Sequence, residues 1–182
     1  QKTGAGVLPV DIIRDGNDYK IVMTQGKITF GDRISGEPFD MLLMALGISV
    51  SDLRTECPVC IASTGHSKVM IGIHDIGLLH RLSPNMELLT KVSKMIGCNG
   101  FYVFTLHHNE EVLVHGRMFA PAIGINEDPV TGNANGPLGA YLVHFGIYES
   151  NSDIFSFTVM QGEAIHRTGK MEVLVKISNN EP

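Results

Sequence analysis

The apolar residues of this chain fall in short runs, and turn-forming residues cut off nearly every one. The longest run, Met41 to Leu46, is six residues, far below the roughly 20 that a membrane-spanning helix needs. Runs of this length suit strands and short helices. Glycine supplies 20 of the 182 residues, above the usual share of about 7%. Backbone must therefore pass close to backbone, or to a ligand, at many points. A hydrophobic content of 43% with a mean hydropathy of +0.11 excludes a disordered chain. A chain of this length buries about 70% of its unfolded surface and needs no disulfide or metal to hold a core. The length fits one domain, or one and a fraction.

Read along the chain, Val7 to Ile13 and Tyr19 to Met23 are strands, and Asp15-Gly16 between them predicts a hairpin. Gln25 to Gly36 reads as a connector, and Pro38 to Leu46 as a short helix stopped by Gly47. Val59 to Ser63 and Lys68 to Ile73 are strands around Thr64-Gly65-His66-Ser67. The clearest helix takes Ser83 as N-cap and Pro84 as its first residue. Its apolar face is Met86, Leu89, Val92, Met95 and Ile96, and Gly97 ends it. Phe101 to Leu106 and Val112 to Phe119 are strands joined by the polar turn His107-His108-Asn109-Glu110. A glycine-rich loop from Ala120 to Gly132 leads into a helix from about Asn133 to Phe145. Phe155 to Met160 and Met171 to Ile177 are the last strands. This order predicts an α+β fold, with sheet wrapped round one or two helices.

The net charge of −5 comes with no long basic run, which argues against a nucleic-acid partner. No segment is long enough for a membrane partner. Three cysteines are too few for a disulfide scaffold. Cys57-Pro58-Val59-Cys60 enters a strand rather than a helix, so it reads as two small core or edge residues, not as a redox pair. Cys98 reads as structural. A reduced, cytoplasmic chain fits this usage. The chain opens on Gln1-Lys2-Thr3-Gly4, without an apolar secretory segment, and closes on Ser178-Asn179-Asn180-Glu181-Pro182 directly after a strand-like run. Both ends look cut, and a fragment of a longer protein is expected.

The most informative stretch runs from Arg117 to Leu142. Here a strand gives way to a loop with adjacent acids, Glu127 and Asp128, stiffened by Pro129. Thr131-Gly132-Asn133-Ala134-Asn135-Gly136 then opens a helix. Small residues leave the unsatisfied N–H groups of the helix start bare, which makes a seat for a carboxylate or phosphate. An acid beside it can hold a cationic group. Together they would fit an amino acid or a related amine-bearing acid. The bland alternative is a capped helix with Asp128 as an ordinary first-turn acid. GxxxxGK[ST] is absent, Gly4-Ala5-Gly6 lacks the third glycine of a dinucleotide loop, and Pro129 excludes a calcium loop.

Glu127-Asp128-Pro129-Val130-Thr131-Gly132-Asn133-Ala134-Asn135-Gly136, preceded by Arg117-Met118-Phe119-Ala120-Pro121, resembles the signature of the phenazine-biosynthesis (PhzF-like) isomerase family. Thr64-Gly65-His66-Ser67-Lys68, Gly97-Cys98-Asn99-Gly100-Phe101 and Gln161-Gly162 fall where that family has its other motifs. The resemblance runs essentially from end to end. It points to the bacterial uncharacterised-isomerase branch, whose helix begins Thr-Gly-Asn rather than Thr-Gly-Ser.

The resemblance implies a diaminopimelate-epimerase-like fold of two similar halves, each a curved sheet wrapped round a central helix, with the active site in the cleft between them. On this reading residues 1–34 are the last strands of the first half plus a linker, and 35–182 are the second half, incomplete at its end. The family's acid/base glutamate, in a Ser-Glu-Thr motif, and its Cys-Gly-His motif would lie outside this chain. Asp128 matches the family's substrate-holding, catalytic aspartate. Gly132 and Asn133 match the Gly-Ser pair that binds the substrate carboxylate. Asn133 keeps hydrogen bonding but adds bulk, so a different substrate is expected. Thr131 stands where diaminopimelate epimerases place a cysteine, and a hydroxyl does not ionise near neutral pH, which disfavours two-cysteine racemisation. His66, beside Lys68, is a further substrate-binding candidate. The implied activity is a cofactor-free proton shift on a small carboxylate, with an amine as its second group, and with no metal. A homodimer is the implied assembly. The rival reading is a non-catalytic small-anion binding protein on the same scaffold; a weaker one is an unrelated α+β interaction domain. The remaining histidines suggest no metal motif, since neither HxH nor HExxH occurs. His107-His108 reads as surface, and His144 as a cation suited to a helix C-terminus. His74, His80, His115 and His166 have no partner that spacing can name. Arg117 either supports the acidic loop or is solvated.

Overall fold

The computed structural model describes residues 2–3, 6–107, 111–148, 152–179 and 181–182. His108, Asn109 and Glu110, read above as the tip of a turn, lie outside the described residues. Two short strands, β1 (Lys2–Thr3) and β2 (Gly6–Val7), pair with each other. A hairpin follows from β3 (Val10–Asp15) and β4 (Asp18–Met23), turned by Gly16 at φ 61°. The expected strand from Val7 to Ile13 is thus interrupted at Leu8-Pro9, where proline has no N–H for a ladder. The hairpin leaves Ile12, Ile13, Tyr19 and Ile21 exposed.

Gln25 to Gly36 is not merely a connector: it contains β5 (Thr29–Arg33), which pairs with β6 (Cys60–Ser63). Helix α1 (Glu37–Leu46) ends on Gly47 at φ 68°. After β7 (Lys68–Gly72) comes a helix the sequence did not announce, α2 (Ile76–Arg81), capped by Asp75. Helix α3 (Met86–Ile96) is capped by Asn85, whose side chain accepts from the Leu88 N–H at 3.1 Å, not by Ser83. Its buried stripe is Leu89, Val92 and Ser93, while Met95 faces outward. Strands β8 (Phe101–Leu106) and β9 (Val114–Ala120) follow, the second beginning two residues later than expected. The loop after β9 contains a further strand, β10 (Ile125–Asp128), paired with β9. Helix α4 (Gly132–His144) precedes β11 (Ile154–Gln161) and β12 (Gly169–Lys176).

The large sheet runs β12-β11-β9-β8-β7-β6-β5, with β10 on β9. Pairing is antiparallel except at β7–β8 and β9–β11. Each parallel pair is joined by a helical crossover, as parallel neighbours require. Side chains alternate across the sheet. Met70, Tyr102, Phe104, Met118 and Ala120 join a core with Ala134, Leu138, Tyr141 and Leu142 of α4. Val69, Ile71, Phe101, Val103 and Phe119 join a second core with residues of α1, α2 and α3. From Pro137 to Val143 helix α4 is buried on every side and carries no charged residue, the mark of a helix enclosed by the core. It packs against β12 at one end of the strand order and against β6 and β7 near the other, so the sheet curls around it. Gly139 permits this closeness: a Cβ there would lie 2.6 Å from Val175 Cγ2 and 2.9 Å from Val173 Cγ1. The architecture is the α+β curved sheet round a central helix that the sequence led us to expect. Among the described residues no helix is long and apolar enough to cross a membrane.

Candidate active site

At the N-terminus of α4 the curled sheet leaves a cavity of about 190 Å³. Asp128, at the end of β10, lines one wall with Thr131 and Asn133 at the helix start. His66 and Lys68, from the head of β7, line another, and Met118 and Ala120 of β9 form an apolar floor. Four of the five residues singled out from the sequence, Asp128, Thr131, Asn133 and His66, therefore border one space. The fifth, Gly132, is the first residue of α4; a side chain there would meet only Met23 Sδ, at 3.9 Å.

A chain of hydrogen bonds sets the geometry. Thr131 is the N-cap of α4, but its hydroxyl does not cap the helix. It donates instead to Asp128 Oδ2 at 2.6 Å and accepts from Gln161 Nε2 at 2.9 Å. Gln161 also donates to the Asp128 carbonyl at 2.7 Å, and its Oε1 accepts from the Thr131 N–H and from Asn135 Nδ2. The Tyr102 hydroxyl donates to Asn135 Oδ1 at 2.6 Å. Tyr102, Thr131, Asn135 and Gln161 are all buried, and fully satisfied buried networks of this kind are rigid. Two consequences follow. Asp128 has one oxygen pinned, while Oδ1 has no hydrogen-bond partner among the described residues. The N–H groups of Gly132 and Asn133 likewise have none: the first N–H of a helix has no intrahelical acceptor, and the Thr131 hydroxyl that could cap the second is turned toward Asp128. A carboxylate oxygen and a pair of bare helix N–H donors thus sit side by side.

The structure decides the role of Arg117 in favour of the acidic loop. Its Nε and Nη2 hold both oxygens of Glu127, at 2.9 and 2.6 Å. Its Nη1 donates to the carbonyls of Leu79 and Leu82 at the end of α2, and the guanidinium lies 5.0 Å from the Phe119 ring centre. The pair is buried, which explains why two adjacent acids behave differently: Glu127 is a strut, and only Asp128 reaches the cavity.

Lys68, which the sequence marks only as the neighbour of His66, is 2% exposed. Its Nζ bonds to His66 Nδ1 at 3.1 Å and to the carbonyls of His66 and Ser67 at 3.3 Å, and no carboxylate lies within ion-pair distance among the described residues. Burial pushes its pKa below the ordinary lysine value, against the pull of Cys98 and Asp128. The charge of Lys68 in turn lowers the pKa of His66. A lone lysine heading an otherwise apolar strand was the signal available. Gln161, buried at the end of an apolar strand, was another.

Outside the cavity, burial pushes the Cys57 thiol up to about 12 and the Cys60 thiol up to about 11. Both are buried core residues held as unreactive thiols. His107 is not a surface residue as expected. It is half-buried, with Nε2 3.2 Å from Thr105 Oγ1 and its ring against that of His115. His144 ends α4, pairs with Glu181 at 3.1 Å and stacks on Phe30.

Comparison with known proteins agrees with this architecture. The family described as phenazine biosynthesis-like protein matches residues 1–182. An uncharacterized isomerase of Clostridium acetobutylicum is 58% identical over 182 residues, covering all of this chain and 60% of that protein. A trans-2,3-dihydro-3-hydroxyanthranilate isomerase of Pseudomonas chlororaphis is 34% identical over 131 residues, 71% of this chain and 42% of that protein. The crystal structure of a Bacillus anthracis phenazine biosynthesis protein of the PhzF family superposes with a TM-score of 0.82 at 31% identity, over 96% of this chain and 58% of that one. The chain thus spans about 60% of the length of the Clostridium relative. With the signature strand, acidic loop and helix start in one continuous cavity wall, the chain belongs to the phenazine biosynthesis-like (PhzF) family and has its diaminopimelate-epimerase-like α+β fold.

Proposed function

We propose that this chain carries the substrate-holding half of a cofactor-independent isomerase, which shifts a proton on a small molecule bearing a carboxylate and an amine. The observation that carries the reading is the pairing, on one cavity wall, of the open Oδ1 of Asp128 with the unpartnered N–H groups of Gly132 and Asn133. The helix start takes the substrate carboxylate. Asp128 takes the amine, and its pinned Oδ2 keeps the free oxygen aimed. Lys68 adds positive charge on the facing wall and, with His66 and Asn133, sets which second substituent fits. The acid/base glutamate comes from the half of the protein outside this chain. It moves the proton on a carbon that the Asp128 wall holds still, so the work of this chain is orientation. Thr131 is assigned a positioning role, its hydroxyl donating to Asp128 and accepting from Gln161.

Names of relatives support the isomerase class: both curated relatives described above are named isomerases, one of them a trans-2,3-dihydro-3-hydroxyanthranilate isomerase. The test uses the full-length protein. Small amino carboxylates, anthranilate-like acids included, are incubated with it in D₂O and followed by mass spectrometry. The expected result is incorporation of one solvent deuterium into one compound, at a rate lowered about 100-fold or more in Asp128→Asn. Binding of such a compound without any exchange would instead favour the non-catalytic binding protein.

A further inference from the structure

On the face of the sheet opposite the cavity, two histidines and a glutamate converge from three elements far apart in sequence. His80 comes from α2, His115 from β9 and Glu163 from the turn between β11 and β12. One donor atom from each lies within 4.8 Å of the other two. Glu163 Oε2 is 2.7 Å from His115 Nδ1 and 3.4 Å from His80 Nε2. His115 shares its side of β9 with Arg117 and Phe119, whereas the cavity touches Met118 and Ala120. The cluster is therefore separate from the candidate active site.

We infer that His80, His115 and Glu163 form a binding site for a divalent transition metal such as Zn²⁺. Two imidazoles and one carboxylate are the donor set of open zinc sites and of facial iron(II) sites. Around an ion with ligand bonds of about 2.0–2.1 Å, neighbouring donors lie about 3.3 Å apart in a tetrahedron and about 2.9 Å apart in an octahedron. The observed 3.4 Å is close to the tetrahedral value and 2.7 Å lies just under both, so seating an ion requires the His115–Glu163 contact to open slightly and the two imidazole donors, within 4.8 Å of each other, to take the same spacing. The His115 side chain is 12% exposed, Glu163 26% and His80 38%, which fixes the inner ligand and leaves the outer side open to water. The His107 ring packs edge-on against that of His115, 5.1 Å centre to centre.

No two of the three residues lie near each other along the chain, so their spacing carries no motif. A metal here would tie α2 to the turn carrying Glu163, two residues beyond the Gln161 that anchors Thr131 and Asp128. It would act as a clip on the far side of the sheet from the substrate.

The test is titration of the full-length, chelator-treated protein with Zn²⁺ by calorimetry, and with Co²⁺ by visible absorption. Wild-type protein is expected to bind one ion per chain with a Kd at or below about 1 µM, and to melt at higher temperature when Zn²⁺ is added. Glu163→Gln keeps the shape and a hydrogen-bond acceptor, and His80→Ala changes a residue at the exposed side of the cluster, so both should fold. Each is expected to weaken binding at least about tenfold and to abolish the thermal shift. His144→Ala, at another histidine–glutamate pair, should bind as wild type does. No binding at one per chain, or binding unchanged in both cluster variants, would overturn the assignment and leave a histidine–glutamate hydrogen bond only.

Discussion

Lys68 sits on the cavity wall as a buried cation whose three short contacts are a ring nitrogen and two carbonyls. Buried charges without an opposite charge cost free energy, so this lysine is retained at the expense of stability. The pH dependence has a definite sign. Burial lowers the folded-state pKa below 10.5, so between that lowered value and 10.5 the unfolded chain holds the proton more firmly than the folded one. Stability from this group therefore rises with pH through that window. Urea unfolding of Lys68→Met across the alkaline range should show this rise abolished and the neutral-pH midpoint raised, while affinity for a carboxylate ligand falls. An unchanged pH profile would mean that Lys68 is not desolvated as described. Arg117 is the contrasting case: equally buried, but paired through two contacts with Glu127 and therefore a structural strut rather than a ligand group.

At the scale of elements, α4 organises the molecule. Its start was legible because Thr-Gly-Asn-Ala-Asn-Gly after an acidic, proline-stiffened loop leaves few conformations and bare N–H groups. Its middle depends on Gly139, which lets β12 approach. Gly139→Val should lower stability by about 1–3 kcal/mol through overpacking against Val173 and Val175, read as a shift in urea midpoint with little change in slope. A neutral or stabilising result would show that β12 can move away from the helix without cost. Other elements were hidden for physical reasons. Helix α2 has six residues, too few for a period to appear. Strand β5 reads Thr-Phe-Gly-Asp-Arg and β10 reads Ile-Asn-Glu-Asp; neither alternates, and each is a strand because a neighbour offers it an edge. Ser83 and Asn85 are both good N-caps; Pro84 suits the position after Ser83, but the helix starts after Asn85.

For the whole molecule, the same division holds between what is local and what is tertiary. The α+β class, the central helix and four of the cavity's lining residues followed from short motifs whose chemistry is carried by adjacent residues. The Tyr102–Asn135–Gln161–Thr131 network and the His80–His115–Glu163 cluster did not, because folding alone brings their members together. The hairpin β3–β4 remains largely exposed, and its end brings Met23 Sδ near Gly132 at the start of α4. In the proposed reading the other half of the protein closes the cavity and supplies the glutamate that moves the proton. The central claim is that the Asp128 wall and the start of α4 hold the substrate. A crystal structure of the full-length protein, with a compound that exchanges deuterium bound, tests it most directly. The account predicts the ligand carboxylate within hydrogen-bond distance of the Gly132 and Asn133 N–H groups, and the amine on Asp128 Oδ1. A productive ligand bound elsewhere, touching neither Asp128 nor the helix start, would contradict it.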